Sequence, residues 1–294
     1  MKPSPFDYKR VSTLSEALDI YGEDNDRDFR LLAGGQSLVP MMNLRLARPE
    51  VIIDLNDIDE LDYIIESGDS IEVGAITRLR TVETDERIAE SAPLLREAIS
   101  YVAHTAIRTR GTIGGNVAHA DPSAEIPTVL VALEGEIVAS SLVGERTIAA
   151  KDFFLGAFFT ELDEREIVKL IRIPKKRLNS GSAFVEFSPR HGDFAIVGIA
   201  AVLSQNDSGY LDSVRLVVAG VDGKPLDVSS EADSLLGKGE ITLDLLDEVA
   251  QNVFKRVEPG GDIHASAEFR RELSQTLTVK ALNLAWSRLG EFNE

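Results

Sequence analysis

Apolar positions along this chain fall into short runs broken by polar, glycine-bearing segments, the pattern of alternating strands and helices. Phe6, Tyr8 and Val11 mark an extended piece, and Thr13 or Ser12 then caps a predicted helix with an acidic first turn. A polar loop is expected at 22–28. Phe29, Arg30, Leu31, Leu32 and Ala33 read as a strand, Gly34, Gly35, Gln36 and Ser37 as a turn, and the apolar 38–44 as a helix start that tolerates Pro40 in its first turn. Val51, Ile52 and Ile53 form a short buried strand, and 61–75 a hairpin turning at Ser67, Gly68 and Asp69. Helices are predicted over 79–83 and 93–103. A second glycine cluster at 110–116 leads to a helix over 123–133, carrying Ile126, Val129, Leu130 and Leu133 at helical spacing; Pro127 predicts a kink or a later start. Strands at 136–140 and 167–173 flank an expected helix around 151–159. The polar, basic stretch 174–181 reads as a domain boundary. Beyond it, strands at 183–187, 196–203 and 211–218 suggest an antiparallel sheet with helices over 243–257 and 266–289 on one face. No internal repeat is present.

Composition narrows the function classes. The chain has 294 residues, 44% hydrophobic and 27% charged, enough for two or three cores. Its 31 basic and 49 acidic residues give a net charge of −18, which argues against a broad nucleic-acid or anionic-membrane surface. There is no cysteine, so a thiol nucleophile, a cysteine-ligated zinc or an iron–sulfur cluster cannot reside on this polypeptide. Met1, Lys2, Pro3, Ser4 and Pro5 lack the apolar run of a secretory signal, and no stretch stays apolar for the roughly 18 residues of a membrane span. A cytoplasmic location is expected.

The candidate chemistry lies in the glycine pairs Gly34-Gly35 and Gly114-Gly115, each beside a helix start. Glycines at such a turn expose backbone N–H groups and admit close approach of a pyrophosphate, which lets an acidic protein hold an anionic cofactor through amide dipoles. Each pair read alone is equally an ordinary turn. There is no phosphate-loop lysine signature, and the first cluster lacks the third glycine of the dinucleotide fingerprint. The four histidines, His104, His119, His191 and His264, have no metal-ligand spacing. His119 either touches a cofactor or fills a turn. Asp193 is either a cofactor contact or a turn residue beside Gly192, and Phe194 either stacks on a ring or opens a core strand.

Three segments in order, 33–40 (AGGQSLVP), 112–122 (TIGGNVAHADP) and 190–197 (RHGDFAIV), resemble the FAD-binding medium subunit of molybdenum hydroxylases. That is the family of aerobic carbon monoxide dehydrogenase, xanthine dehydrogenase and bacterial N-heterocycle hydroxylases, and the resemblance spans nearly the whole chain. It implies an α+β fold: a two-lobed FAD-binding domain of the vanillyl-alcohol-oxidase type over 1–176, with lobes of about 1–57 and 58–176, then a C-terminal domain over 177–294 with an antiparallel sheet and helices. It implies that Leu32, Ala33, Gly34, Gly35, Gln36, Ser37 and Leu38, with Thr112, Ile113, Gly114, Gly115 and Asn116, cradle the pyrophosphate. Ala118, His119, Asp121, Ser123 and Glu125 would lie along the ribityl, ribose and adenine portion. Val102 and the backbone of Val168 would add contacts, and the segment around Val185 and Glu186, with Asp193 and Phe194, belongs to the part that approaches the isoalloxazine. Some relatives carry lysine near 185 or 186, where this chain has Val185 and Glu186.

The resemblance also implies an oxidoreductase with no catalytic residue on this chain beyond the flavin. The molybdenum cofactor would sit on a large subunit and two [2Fe–2S] clusters on a small one, in a dimer of heterotrimers serving an external electron acceptor. The missing cysteines separate it from the 4-hydroxybenzoyl-CoA reductase branch, whose FAD subunit carries its own cluster. Two other readings stand beside it: a self-sufficient flavin reductase or oxidase of the same fold, and a non-catalytic nucleotide-binding scaffold.

Overall fold

The computed structural model describes residues 2–22 and 27–289. The expected loop at 22–28 therefore falls partly outside the described residues. Along the chain run β1 (Asp7–Arg10), α1 (Leu14–Tyr21), β2 (Phe29–Leu32), α2 (Leu38–Asn43) and β3 (Val51–Asp54). β1 and β2 pair in parallel on either side of β3, and Leu14, Leu18, Phe29, Val51 and Ile53 close a first core beneath α1. The expected cap is Thr13, whose hydroxyl accepts from Glu16 N–H at 3.1 Å.

β4 (Ile64–Ser67) and β5 (Ser70–Gly74) form the expected hairpin. They are followed by α3 (Leu79–Thr84), α4 (Glu86–Ser91), α5 (Pro93–Tyr101), α6 (Thr105–Arg108), α7 (Ile113–His119) and α8 (Glu125–Ala132). α8 starts two residues later than the expected helix. Asp121 first makes an Asx turn, its side chain accepting from Ser123 N–H at 2.9 Å, and Pro127 then takes the third helical position, where its missing N–H leaves no gap.

Next come β6 (Glu136–Ser141), β7 (Gly144–Ala149), α9 (Ala150–Phe153), β8 (Phe154–Gly156), β9 (Phe159–Thr160) and β10 (Ile167–Pro174). The helix expected around 151–159 is a single turn followed by the β8–β9 hairpin. Gly156 and a left-handed Phe158 (φ 57°) break it, and the intervening aromatic residues favour strand. A five-stranded antiparallel sheet runs β4-β5-β10-β6-β7. β7 was not legible because it is an edge strand of largely exposed polar residues.

The C-terminal part holds β11 (Ser180–Phe187), β12 (Val197–Gln205), β13 (Leu211–Ala219), β14 (Leu226–Asp227), α10 (Leu243–Arg256) and α11 (Ala267–Ser287). The sheet is antiparallel as expected, and α10 and α11 cover one face, where Val185, Ile199, Leu216 and Val218 pack. Its other face is covered too. Phe184, Ala200 and Val217 join the core of the preceding domain, which explains why these strands are apolar on both faces.

Among the ion pairs that cross the seam are Arg215–Glu134 and Arg288–Glu97. Glu97 on α5 accepts from Arg288, just past α11, at 2.8 and 3.0 Å and from Phe184 N–H at 3.0 Å. Glu97→Ala leaves the Phe184 amide and the guanidinium without this acceptor, at an expected cost of about 1–3 kcal/mol. A thermal melt of the full chain checks it; an unchanged melting temperature would show that the pair does not brace the seam.

Candidate functional site

The two glycine motifs lie 80 positions apart in sequence and meet in space. After β2 the chain turns through Gly35, held at φ +73°, into α2. The first hydrogen bond of α2 is Val39 N–H to the Gly35 carbonyl at 3.1 Å, so the N–H groups from Gly34 to Leu38 find no protein acceptor among the described residues. Gly34 touches the approach to the second motif: a side chain there would collide with the Arg110 carbonyl and stand 2.7 Å from Gly111 Cα.

The second cluster, expected as a turn at 112–116, is instead the cap and first turn of α7. The Thr112 hydroxyl accepts from Gly115 N–H at 3.2 Å, while the amides of Ile113 and Gly114 bond to the Thr77 and Ala75 carbonyls at 3.0 and 2.9 Å. The adjacent glycines therefore do different things. A Cβ on Gly114 would lie 2.5 Å from Ala75 Cβ and 2.7 Å from its oxygen, which makes Gly114 a packing residue. A Cβ on Gly115 would lie 2.7 Å from Thr112 Oγ1 and 3.4 Å from Ala33 Cβ, so Gly115 faces the first motif.

Two residues that sequence reasoning missed brace this junction. Arg78 donates to the Arg110 carbonyl and to Asn56 Oδ1, both at 2.6 Å, and Asn56 donates to the Ala33 carbonyl at 2.9 Å. Neither lies in a recognisable motif; their role arises from contacts 22 to 32 positions away.

The donor set fits FAD. Successive unpaired amides, one from a left-handed glycine, form a concave anion cradle, and a second glycine helix start lies opposite it. In the same motif the Asn116 side-chain oxygen is buried without a hydrogen-bond partner, an acceptor ready for a polar ligand.

The stretch 118–125 extends from this cradle. Ala118 is exposed, and Ala120 turns the chain through φ +50°. The His119 ring lies 5.0 Å from Phe158, and burial lowers its basicity. Glu125, the first residue of α8, is only 7% exposed, and burial pushes its carboxyl up to about 8. Ile113, Val102 and Val168 send their side chains into the core, so only their backbones are available to a ligand.

Val185 corrects the expectation for the C-terminal domain. Its side chain packs under α10 and α11, and the alternation of β11 places Glu186 with Phe184 on the face toward the preceding core. Glu186 is thus the side chain that β11 offers to the seam, a result that counting two positions from Phe184 would have given. Asp193 and Phe194 are exposed, Phe194 at 74%, on a loop docked against 101–104: Gly192 sits on the His104 ring, and His191 stacks on Tyr101 at 6.4 Å.

Residues 4–176 match the family described as FAD binding domain in molybdopterin dehydrogenase, and 182–285 match the CO dehydrogenase flavoprotein C-terminal domain. The chain belongs to this FAD-binding family. It is 36% identical over 288 residues to the 6-hydroxypseudooxynicotine dehydrogenase complex subunit alpha of Paenarthrobacter nicotinovorans, covering 98% of this chain and 97% of that protein. It is 37% identical over 290 residues to the caffeine dehydrogenase subunit beta of Pseudomonas sp. strain CBB1, again covering 98% and 97%. In structure it is similar to a chain of carbon monoxide dehydrogenase from Hydrogenophaga pseudoflava, with TM-score 0.94, 34% identity, and 99% and 100% of the two chains covered. The resemblance to the medium subunit of molybdenum hydroxylases is borne out, as is the two-part α+β fold. The chain is an FAD-binding subunit of a molybdenum-containing oxidoreductase family. Among the described residues, no helix is long and apolar enough to cross a membrane.

Proposed function

We propose that this chain is the electron exit of a heterotrimeric molybdenum hydroxylase, carrying the FAD that takes electrons from [2Fe–2S] clusters on a small subunit and passes them to an external acceptor. The molybdenum cofactor then belongs to a large subunit, and two heterotrimers pair. The domains divide at about 176, and the assembly works in the cytoplasm. The observation that supports this reading best is the meeting of the two glycine motifs, with unpaired amides from 34 to 38 facing a second glycine helix start. FAD supplies chemistry that no side chain here has: it accepts electrons singly and releases them singly or as a pair.

The protein's part is binding and tuning. Gly34, Gly35, Gln36, Ser37 and Leu38 offer amides to the pyrophosphate, Gly115 keeps the opposite wall bare, and Asn116 offers an acceptor. Asp121, Ser123 and Glu125 follow along the sugar and adenine portion. Asp193 and Phe194, on their docked loop, form the C-terminal domain's approach to the ring. Since the chain holds no cysteine, the clusters that feed the flavin must lie on another polypeptide.

Purification of the native complex tests the assignment. FAD, molybdenum, iron and labile sulfide should co-purify with this chain and two further polypeptides, and substrate should reduce the flavin only in the complex. A lone yellow protein that turns over substrate with NADPH would overturn it.

A further inference from the structure

A cavity of about 610 Å³ opens at the seam between the two domains, and it shares no lining residue with the flavin cradle. Its walls come from α3 and α5 of the FAD-binding domain, from Lys176 in the linker, from the start of β11 and from Arg288 just past α11. Four of the lining side chains are cations, Arg80, Arg96, Lys176 and Arg288, and two are acids, Glu83 and Glu97. In a chain of net charge −18, this local excess of positive charge runs against the whole.

Both acids are already engaged. Glu83 accepts from Arg80 at 3.0 Å and from Arg108, a buried cation outside the lining, at 2.9 and 3.1 Å. Glu97 accepts from Arg288 through both oxygens and from the Phe184 amide. Arg288 is further anchored on the Ser182 carbonyl at 2.7 Å, so its guanidinium is held in place. Arg96 donates only through Nε, to the Glu83 carbonyl at 3.0 Å, and Arg80 only through one Nη; among the described residues their other donors meet no protein acceptor. Hydroxyls on the walls give their protons to backbone carbonyls, Thr84 to Arg80, Ser100 to Glu97 and Ser180 to Arg177. What the cavity offers a ligand is therefore chiefly positive charge, from Arg80 and Arg96 on one side and Lys176 on the linker. Burial lowers the basicity of Lys176, and an anion beside it would offset that cost.

We propose that this cavity binds a polyphosphate-bearing ligand, held by Arg80, Arg96 and Lys176, and that the bound ligand ties the C-terminal domain to the FAD-binding domain. Three features select that class. A neutral ligand would leave the clustered charge uncompensated. A lone phosphate is small against a volume that falls within the roughly 300–1,000 Å³ of small-molecule sites. The planar guanidinium fork takes two phosphate oxygens at once, which successive phosphates can satisfy on more than one arginine. Arg80 and Arg96 belong to the FAD-binding domain, Lys176 to the linker and Arg288 to the far side, so an anion among them meets both halves of the seam. The site does not depend on the flavin reading, since none of its residues serves the cradle.

Calorimetry on the full chain, saturated with FAD so that the cradle is filled, tests the site with inorganic triphosphate, ATP and citrate in the absence of divalent cations. Triphosphate should bind one per chain, more weakly as salt is raised, and should lift the melting temperature. Arg96→Gln and Lys176→Gln should each weaken it about tenfold or more with flavin content unchanged. Arg96→Lys, which keeps the charge without the fork, should fall between. ATP binding tighter than triphosphate would identify a nucleotide as the source, and equal binding a free polyphosphate. Citrate binding as tightly as triphosphate would overturn the phosphate class. No saturable binding at low salt, or undiminished binding in both Arg96→Gln and Lys176→Gln, would overturn the site itself.

Discussion

Gly115→Val should strip FAD from the chain while leaving it folded. Gly115 sits in the first turn of α7 with its Cα toward the other glycine motif. A Cβ there meets only Thr112 Oγ1 at 2.7 Å and Ala33 Cβ at 3.4 Å, and the two methyls of valine must then project into the gap between the motifs. The fold loses little more than the Thr112 cap, about 1 kcal/mol, because no backbone stands in the way. The ligand loses the close approach on which amide recognition depends, and a tenfold or greater fall in affinity needs only about 1.4 kcal/mol. Flavin content of the purified variant, measured beside its circular dichroism and melting temperature, checks this. A folded Gly115→Val chain with full FAD would place the cofactor elsewhere.

Gly114→Val, one position earlier, should instead damage the fold. Its Cβ would stand 2.5 Å from Ala75 Cβ, 2.7 Å from Ala75 O and 2.8 Å from Ala75 Cα, all on a segment that also receives the Gly114 N–H bond. Backbone cannot step aside as a side-chain tip can. Overpacking together with a lost buried hydrogen bond gives an expected cost of about 3 kcal/mol or more, or roughly 5 °C of melting temperature for a chain of this size. The check is a melt of flavin-free protein, which removes any contribution from the ligand. A Gly114→Val chain as stable as wild type would contradict the packing role. Read from sequence alone, the two glycines look interchangeable; the neighbours each would strike tell them apart.

That contrast also shows what was legible in the sequence. The strand, turn and helix over 29–43 could be read because glycine, proline and apolar residues each signal locally, and the C-terminal strands because their apolar runs are long. The segment 151–159 could not, since a helix turn and an aromatic hairpin share the same apolar spacing until Gly156 and Phe158 take their backbone angles. The motifs themselves named the family and most of the cradle. Arg78 and Asn56 were out of reach, because their function is to hold two distant loops together. The resemblance marks the segment around Val185 and Glu186 rather than a face; which of the two looks toward the seam depends on β11's register.

The net charge of −18 now reads differently as well. It still argues against a broad anion-binding surface, yet the cradle is braced by Arg78.

The most direct measurement is the flavin stoichiometry of the full wild-type chain, by extraction and chromatographic identification after reconstitution with FAD, alongside Gly115→Val. The account expects one FAD per wild-type chain and little or none on a folded Gly115→Val chain; a folded wild-type chain that retains no FAD, or equal retention by both, would contradict it.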